Sequence, residues 1–271
     1  AAWQAKAQKW ALPRIKAAVG DAPVDIVSHG QGIVFLNQLH YDPRPVFQSY
    51  IAYTDYLLRR NADHFAQAGG PEYVLIRPEA IDSRLQAMED SLALRELARR
   101  YRPLFVEKGY LLAERIPPDR VASAPSEQVL RALDVGWGEW VDLEWAGDET
   151  VYLRLDIRYS PLGQVMKLLL RSPTVEIVLA GPSWAAHDRI VPSMMRAGIL
   201  LQPYLRRLQS DQVATLWPAL SGSTMAIPPD CRVRRFKLDV GNEDWERCFS
   251  PRIGVRLVAL RSNAAGGDPG K

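Results

Sequence analysis

Between Val24 and Ile116 short apolar runs alternate with segments of helical period. "VDIVS" reads as a strand, "QGIVFLNQL" as a short helix, and "RPVFQSY" as a second strand entered through Pro45. "TDYLLRRNADHFAQ" is expected to be a helix capped by Thr54, with Leu57, Leu58 and Phe65 inward and Gly69-Gly70 as its end. "EYVLIR" follows as a third strand. In "DSLALRELARRY" the residues Leu94, Leu97, Ala98 and Tyr101 fall at i, i+3, i+4 and i+7, one face of a helix. "LFVEKGYLLAER" predicts two strands around a Lys108-Gly109 turn. Strand alternating with helix implies a parallel sheet with helices packed on it and an antiparallel edge.

After the Pro/Ser/Ala-rich "IPPDRVASAPSEQ" the period changes to two. "VYLRLDIRY" places Val151, Leu153, Leu155, Ile157 and Tyr159 on one face and Tyr152, Arg154, Asp156 and Arg158 on the other, a half-buried antiparallel strand. "EWVDLEW", "TVEIVLA", "RRFKLDV" and "RIGVRLVAL" behave alike, and "QPYLRRLQSD" interrupts them as a helical turn. The expected organisation is α/β plus all-β: an amphipathic segment over 1–19, a small Rossmann-like three-layer domain over 20–117, a jelly-roll-like β-sandwich over 118–262, and a disordered tail over 263–271. Each domain is expected to bury its own interior.

Composition adds bounds. The chain has 271 residues, with 34 basic and 31 acidic side chains interspersed rather than gathered into a stripe, which points away from nucleic acid as a partner. No apolar run approaches the length of a membrane span, the longest being broken by Lys167, Arg171 and Glu176. The opening residues read as the interior of a longer chain or a mature end. Trp3, Ala7 and Trp10 share a helical face beside Lys6 and Lys9; a segment lying at a membrane surface and a helix docked on its own domain both fit. Cys231 and Cys248 are a candidate disulfide, with two unpaired buried thiols as the alternative. The four histidines are dispersed without ligand spacing, so neither a metal nor another cofactor is expected.

In an open parallel sheet, ligands bind beyond the carboxyl ends of the strands. That rule selects Ser28, His29 and Gln31 after the first strand, then Gln48, Tyr50 and Tyr53 (with Ser49 and Thr54), then Arg77, Glu79, Asp82 and Arg84, as one polar crevice. Ser28-His29-Gly30-Gln31-Gly32 superficially resembles a nucleophile elbow, but glycine occupies the nucleophile's position. Gly30 and Gly32 form only a fragment of a phosphate-cradling loop. His29 is a candidate base, and Glu79 with Asp82 a candidate acid/base pair. Of eight tryptophans, six lie in the second half. Trp140 and Trp184 are candidates for stacking on sugar faces, whereas Trp145 shares a face with Val141 and Leu143 and is expected in the core.

"YDPRPVFQSYIAYTDYLLRRNADHF", "PEYVLIRPEAIDSR", "LALRELARRYRPLFVEKGYLLAER" and "DRIVPSMMRAGILLQPYL" together resemble the soluble C-terminal region of largely uncharacterised bacterial polytopic membrane proteins that look like glycosyltransferases using lipid-linked sugars. The resemblance implies a periplasmic or cell-surface location, tethering by membrane helices of a parent chain, and no catalytic residue within this region. It implies an accessory module in cell-envelope glycan assembly that binds glycan or an envelope protein. A free-standing enzyme with its site at the α/β crevice and a structural spacer are the alternatives.

Overall fold

The computed structural model describes residues 8–27, 29–79, 81–121, 123–170, 173–205, 209–222 and 225–261. It is a mixed α/β structure in which most strand pairs are antiparallel and one sheet carries parallel pairs. That sheet comprises β1 (Pro23–Val27), β2 (His40–Tyr41), β3 (Tyr73–Ile76), β4 (Tyr101–Glu107) and β5 (Tyr110–Arg115), in the order β2-β1-β3-β5-β4. β2, β1 and β3 run parallel, and β5 and β4 add the antiparallel edge. The last two are joined through Lys108 and Gly109, at φ 47° and 81°. Positive φ at both central residues gives a hairpin turn whose twist matches that of its strands.

Alternate residues of this sheet serve opposite faces. Val24, Ile26, Leu75 and Leu112 pack against helices α1 (Pro13–Val19) and α2 (Gly32–Leu36). Val74, Ile76, Leu111 and Ala113 pack against α3 (Asp55–Ala66) and α4 (Ser91–Arg100). Thr54 caps α3, its hydroxyl accepting from the Leu57 amide at 3.2 Å. Trp10 is partly buried in the first of these clusters, and the Ile15 amide donates to Glu107 at 2.8 Å, so the chain from Trp10 to Val19 is docked on its own sheet. Trp3, Lys6 and Ala7 lie outside the described residues, as does the 263–271 tail.

The second strand differs from expectation. Pairing is confined to His40–Tyr41, and "RPVFQSY" forms an irregular loop ending in a short 3-10 turn. Pro43 and Pro45 supply no amide hydrogens, and the Asn61 side chain satisfies both backbone groups of Val46, at 2.8 and 3.0 Å. These positions are therefore lost to strand pairing.

The second half contains two four-stranded antiparallel sheets. One has β6 (Ser126–Gly136), β8 (Val151–Asp156), β11 (Ile199–Gln202) and β13 (Arg252–Arg261), in the order β11-β8-β13-β6. The other has β7 (Val141–Asp142), β9 (Val175–Ala180), β10 (Ala185–Ile190) and β12 (Arg235–Val240), in the order β10-β9-β12-β7. Leu153, Leu155 and Val255 of the first join Ile177, Leu179 and Phe236 of the second in one hydrophobic cluster. "EWVDLEW" pairs only over Val141–Asp142. The Asp142 carboxylate accepts from the Glu144 amide at 2.8 Å and its carbonyl from Trp145 Nε1 at 2.9 Å. The chain therefore bends, and Trp145 is 45% exposed rather than in the core.

Two helices depart from the all-β organisation expected of this half: α5 (Pro161–Leu169), capped by Ser160, and α6 (Ser210–Leu220), which begins where "QPYLRRLQSD" ends. The interiors are also not separate. Phe65, Leu97 and Tyr101 share a cluster with Tyr152, Leu200, Trp217 and Val258, while Leu58, Leu85 and Met88 belong to the cluster between the two later sheets. Among the described residues no helix is long and apolar enough to cross a membrane.

Candidate functional site

Past the ends of β1 and β3, the selected side chains form two groups rather than one crevice. In the first, Glu79 is held from both sides, with His29 Nε2 at 3.5 Å from Oε2 and Arg77 Nε at 2.5 Å from Oε1. Arg77 also lies over the Tyr110 ring and donates to its hydroxyl at 3.2 Å. In the second, Arg84, only 5% exposed, donates to the Tyr50 carbonyl at 2.7 Å and the Tyr53 hydroxyl at 3.2 Å, with its plane over the Tyr53 ring. Gln31 is buried and donates to the Phe47 carbonyl at 2.8 Å. Gln48 is half-buried. Ser28 lies outside the described residues.

The carboxylate pairing does not follow the expected Glu79 and Asp82. Asp82 is exposed on a turn where it and Ser83 take φ of 51° and 55°. Glu89 is the carboxyl with altered chemistry. Burial pushes it up to about 7, against the Ile81 amide and the charge of Arg84, and Asp90 and Asp82 add to the rise. Its position just before a helix reads in sequence as an ordinary first-turn acid, so nothing in the pattern marks it.

Beneath the strand ends lies a fully buried polar network that sequence reasoning missed. Arg44, 1% exposed, donates from Nη1 to Asp25 at 3.0 Å and to the Ile26 carbonyl at 2.7 Å, from Nε to Asp90 at 2.8 Å, and from Nη2 to Ser49 at 2.6 Å. Asn61 donates to the other Asp90 oxygen at 2.6 Å. One cation thus faces two carboxylates in the interior. Burial drives Asp25 upward more strongly than Arg44 draws it down, so its carboxyl is held above its ordinary range. An aspartate inside the apolar run "VDIV" was the available signal. The network ties β1, the loop after β2, α3 and α4 together, so its geometry is that of a structural anchor under the site.

The tryptophan candidates divide. Trp140, 40% exposed, has the Arg235 guanidinium 4.4 Å and the Lys237 ammonium 5.8 Å from its ring centre, so cations compete with a sugar for its surface. Trp184 is only 8% exposed and stacks on Tyr204, whose hydroxyl donates to the buried Asp188 at 2.6 Å. Trp184 nevertheless lines a cavity of about 370 Å³, bounded by Leu216 and Pro228 and carrying the polar side chains of Ser183, Gln212, Thr215 and Asp230. Cys231 also borders this cavity. The disulfide is not formed: Cys231 and Cys248 are free, buried thiols packed in different hydrophobic clusters.

A wider groove, about 600 Å³, opens on the face of the β11-β8-β13-β6 sheet turned away from its partner sheet, with Arg154, Arg158, Arg196 and Arg256 along it. Asp156 in its wall is held below the ordinary carboxylate range by the Arg158 hydrogen bond and by Arg196. The signal was present in "VYLRLDIRY", where alternation puts Arg154, Asp156 and Arg158 on one face. Among the described residues there is no group of three or more histidine, cysteine or acidic side chains arranged to hold a metal ion. Comparison of the chain with protein-family models, with characterised proteins and with solved structures gave no match.

Proposed function

We propose that the chain is a non-catalytic binding module of the cell envelope, the extracytoplasmic part of a membrane protein in glycan assembly, with a saccharide as its ligand. In this reading the first sheet and its helices form a Rossmann-like three-layer unit, and the two later sheets are the faces of a jelly-roll-like β-sandwich. The cluster they share supports that architecture.

The observation that carries the function is the Trp184 cavity. It offers an aromatic wall together with hydroxyl, amide and carboxylate groups. Saccharides need this combination, burying their C–H faces on a ring while their hydroxyls find hydrogen-bond partners. The implied partnership with membrane helices of a parent chain draws support from α5. Gly163 and Met166 face the protein, while Leu162, Val165, Leu168 and Leu169 lie on the opposite arc, 50%, 51%, 86% and 75% exposed.

A glycan array probed with the 271-residue chain, followed by calorimetry on any hit, tests the reading. Asp230→Asn and Gln212→Ala are expected to weaken binding about tenfold each by removing one hydrogen-bond partner. Trp184 itself is left intact because it also supports Tyr204. An array on which no saccharide is retained overturns the proposal. The rival enzyme reading is favoured by one observation, the Glu89 carboxyl at about 7 near the strand ends. Turnover of a glycoside or ester that Glu89→Gln abolishes, and Asp230→Asn leaves intact, would establish it instead.

A further inference from the structure

We infer that the arginine groove on the outer face of the β11-β8-β13-β6 sheet is a binding site for a phosphate group carried on a larger molecule. Arg154 and Arg256 are direct cross-strand neighbours in the β8–β13 register. Like charges placed opposite each other on one sheet face repel. Arg154 is partly neutralised by Glu127, at 2.7 Å, but the same Glu127 oxygen also serves Arg95 at 2.8 Å. Arg256 is exposed, and among the described residues no carboxylate pairs with it. One carboxylate thus serves two guanidinium groups, and the third, Arg256, has none among the described residues.

The donors tell the same story. Arg154, which lines the groove, has its buried Nε without a hydrogen-bond acceptor among the described residues, so Glu127 satisfies only part of its guanidinium. Buried N–H groups of a cation are costly to leave unpaired. Two aspartates do enter the groove. Asp156 is taken up by Arg158, at 2.5 Å, and Arg196, at 2.9 Å, and Asp134 lies across Gly254 from it. The lining still sums to four arginines against two aspartates. A phosphate monoester carries a charge of about −1.5 to −2 at neutral pH and presents three acceptor oxygens, which suits a pair of guanidinium forks. Gly254, between Asp134 and Asp156, leaves the floor without a side chain, and a groove of about 600 Å³ has room for the group that bears the phosphate.

The site is independent of the Trp184 cavity, since no residue lines both. Calorimetric titrations of the full chain with inorganic phosphate, a hexose phosphate and phosphatidate-containing vesicles test it. Each is run on the native protein, on Arg256→Gln and on Arg235→Gln, the last an exposed arginine of the other sheet. Saturable binding in any arm that Arg256→Gln weakens about tenfold, and Arg235→Gln does not, supports the site. Tighter binding of the hexose phosphate or of the vesicles then identifies the carrier as sugar or lipid, and inorganic phosphate binding tightest would overturn a carried phosphate. No saturable binding in any arm, or binding indifferent to Arg256→Gln, overturns it. Neutral saccharide binding lost in Asp230→Asn but kept in Arg256→Gln reports on the other cavity alone.

Discussion

Arg44 and Glu89 show how much of this protein's chemistry is set by burial rather than by residue type. Arg44→Met removes the only cation between Asp25 and Asp90 that the described structure places in that network, and leaves Ser49 and the Ile26 carbonyl without its donors. The expected loss is about 3–5 kcal/mol in a denaturant titration at neutral pH, because the carboxylates remain where water cannot reach them. Adding Asp25→Asn and Asp90→Asn to that variant should restore part of the loss; a single-variant loss below about 1 kcal/mol would show that the network does not anchor the fold. Glu89 acts in the opposite direction. Its folded value of about 7 stands above the ordinary 4.5, so the folded protein keeps a proton that the unfolded chain releases. Stability is therefore greatest below about pH 4.5 as far as this group is concerned, and falls as pH rises through 7, by up to about 3 kcal/mol. Asp25, also raised, adds to the same trend. Glu89→Gln should flatten the dependence between pH 5 and 7 when midpoints of urea unfolding are compared, and an unchanged slope would place the effect elsewhere.

The two later helices had weak sequence signals for identifiable reasons. In α5 the apolar residues at helical spacing, Leu162, Val165, Met166 and Leu169, lie in a nine-residue segment that Pro161 and Gly163 punctuate, so the stripe is short and reads as a turn. In α6 Pro218 lies inside the helix and reads as a stop. The long edge strand β6 was hidden differently: most of its residues are exposed, and it lacks the alternation that revealed β8. By contrast α3, α4 and the Lys108-Gly109 hairpin were legible because capping, periodicity and turn chemistry agree locally. Docking of α5 depends on one absent side chain. A Cβ at Gly163 would overlap the Cys248 carbonyl, which is backbone and cannot swing aside. Gly163→Ala should therefore cost about 1–3 kcal/mol and open the 159–170 segment to proteolysis. Leu168→Ser with Leu169→Ser, on the opposite face, should change thermal stability by no more than about 0.5 kcal/mol while reducing self-association in light scattering. A large loss of stability from the serine pair would mean that this face is covered within the protein.

Across the whole chain, the periodicity of the sequence changes near residue 120, but the interior is not divided there. Periodicity reports only what each segment does with its own faces. Tyr152 and Val258 read as the outward side of their strands, and only the tertiary arrangement shows them packed with Leu97 and Tyr101. The polar contacts across that division are equally specific. Trp217 Nε1 donates to the Tyr101 carbonyl at 2.8 Å, Ser210 to the Gly109 carbonyl at 2.5 Å, and the Arg95 guanidinium lies 4.2 Å from the Tyr152 ring centre. The site residues were selected one half at a time for the same reason, and the Arg95–Arg154 pairing through Glu127, which spans both halves, could not be seen from either. A shared core of this kind couples the halves energetically, since separating them exposes Phe65, Leu97, Trp217 and Leu260 together. Scanning calorimetry should accordingly record one transition with equal calorimetric and van't Hoff enthalpies. Leu97→Ala, in the first half, should lower the midpoint seen by tryptophan fluorescence, which six tryptophans of the second half dominate, and by far-UV dichroism to the same extent, with a loss of about 2–5 kcal/mol. Two resolved transitions, with Leu97→Ala moving only one of them, would show that the halves fold independently despite the side chains they bury together.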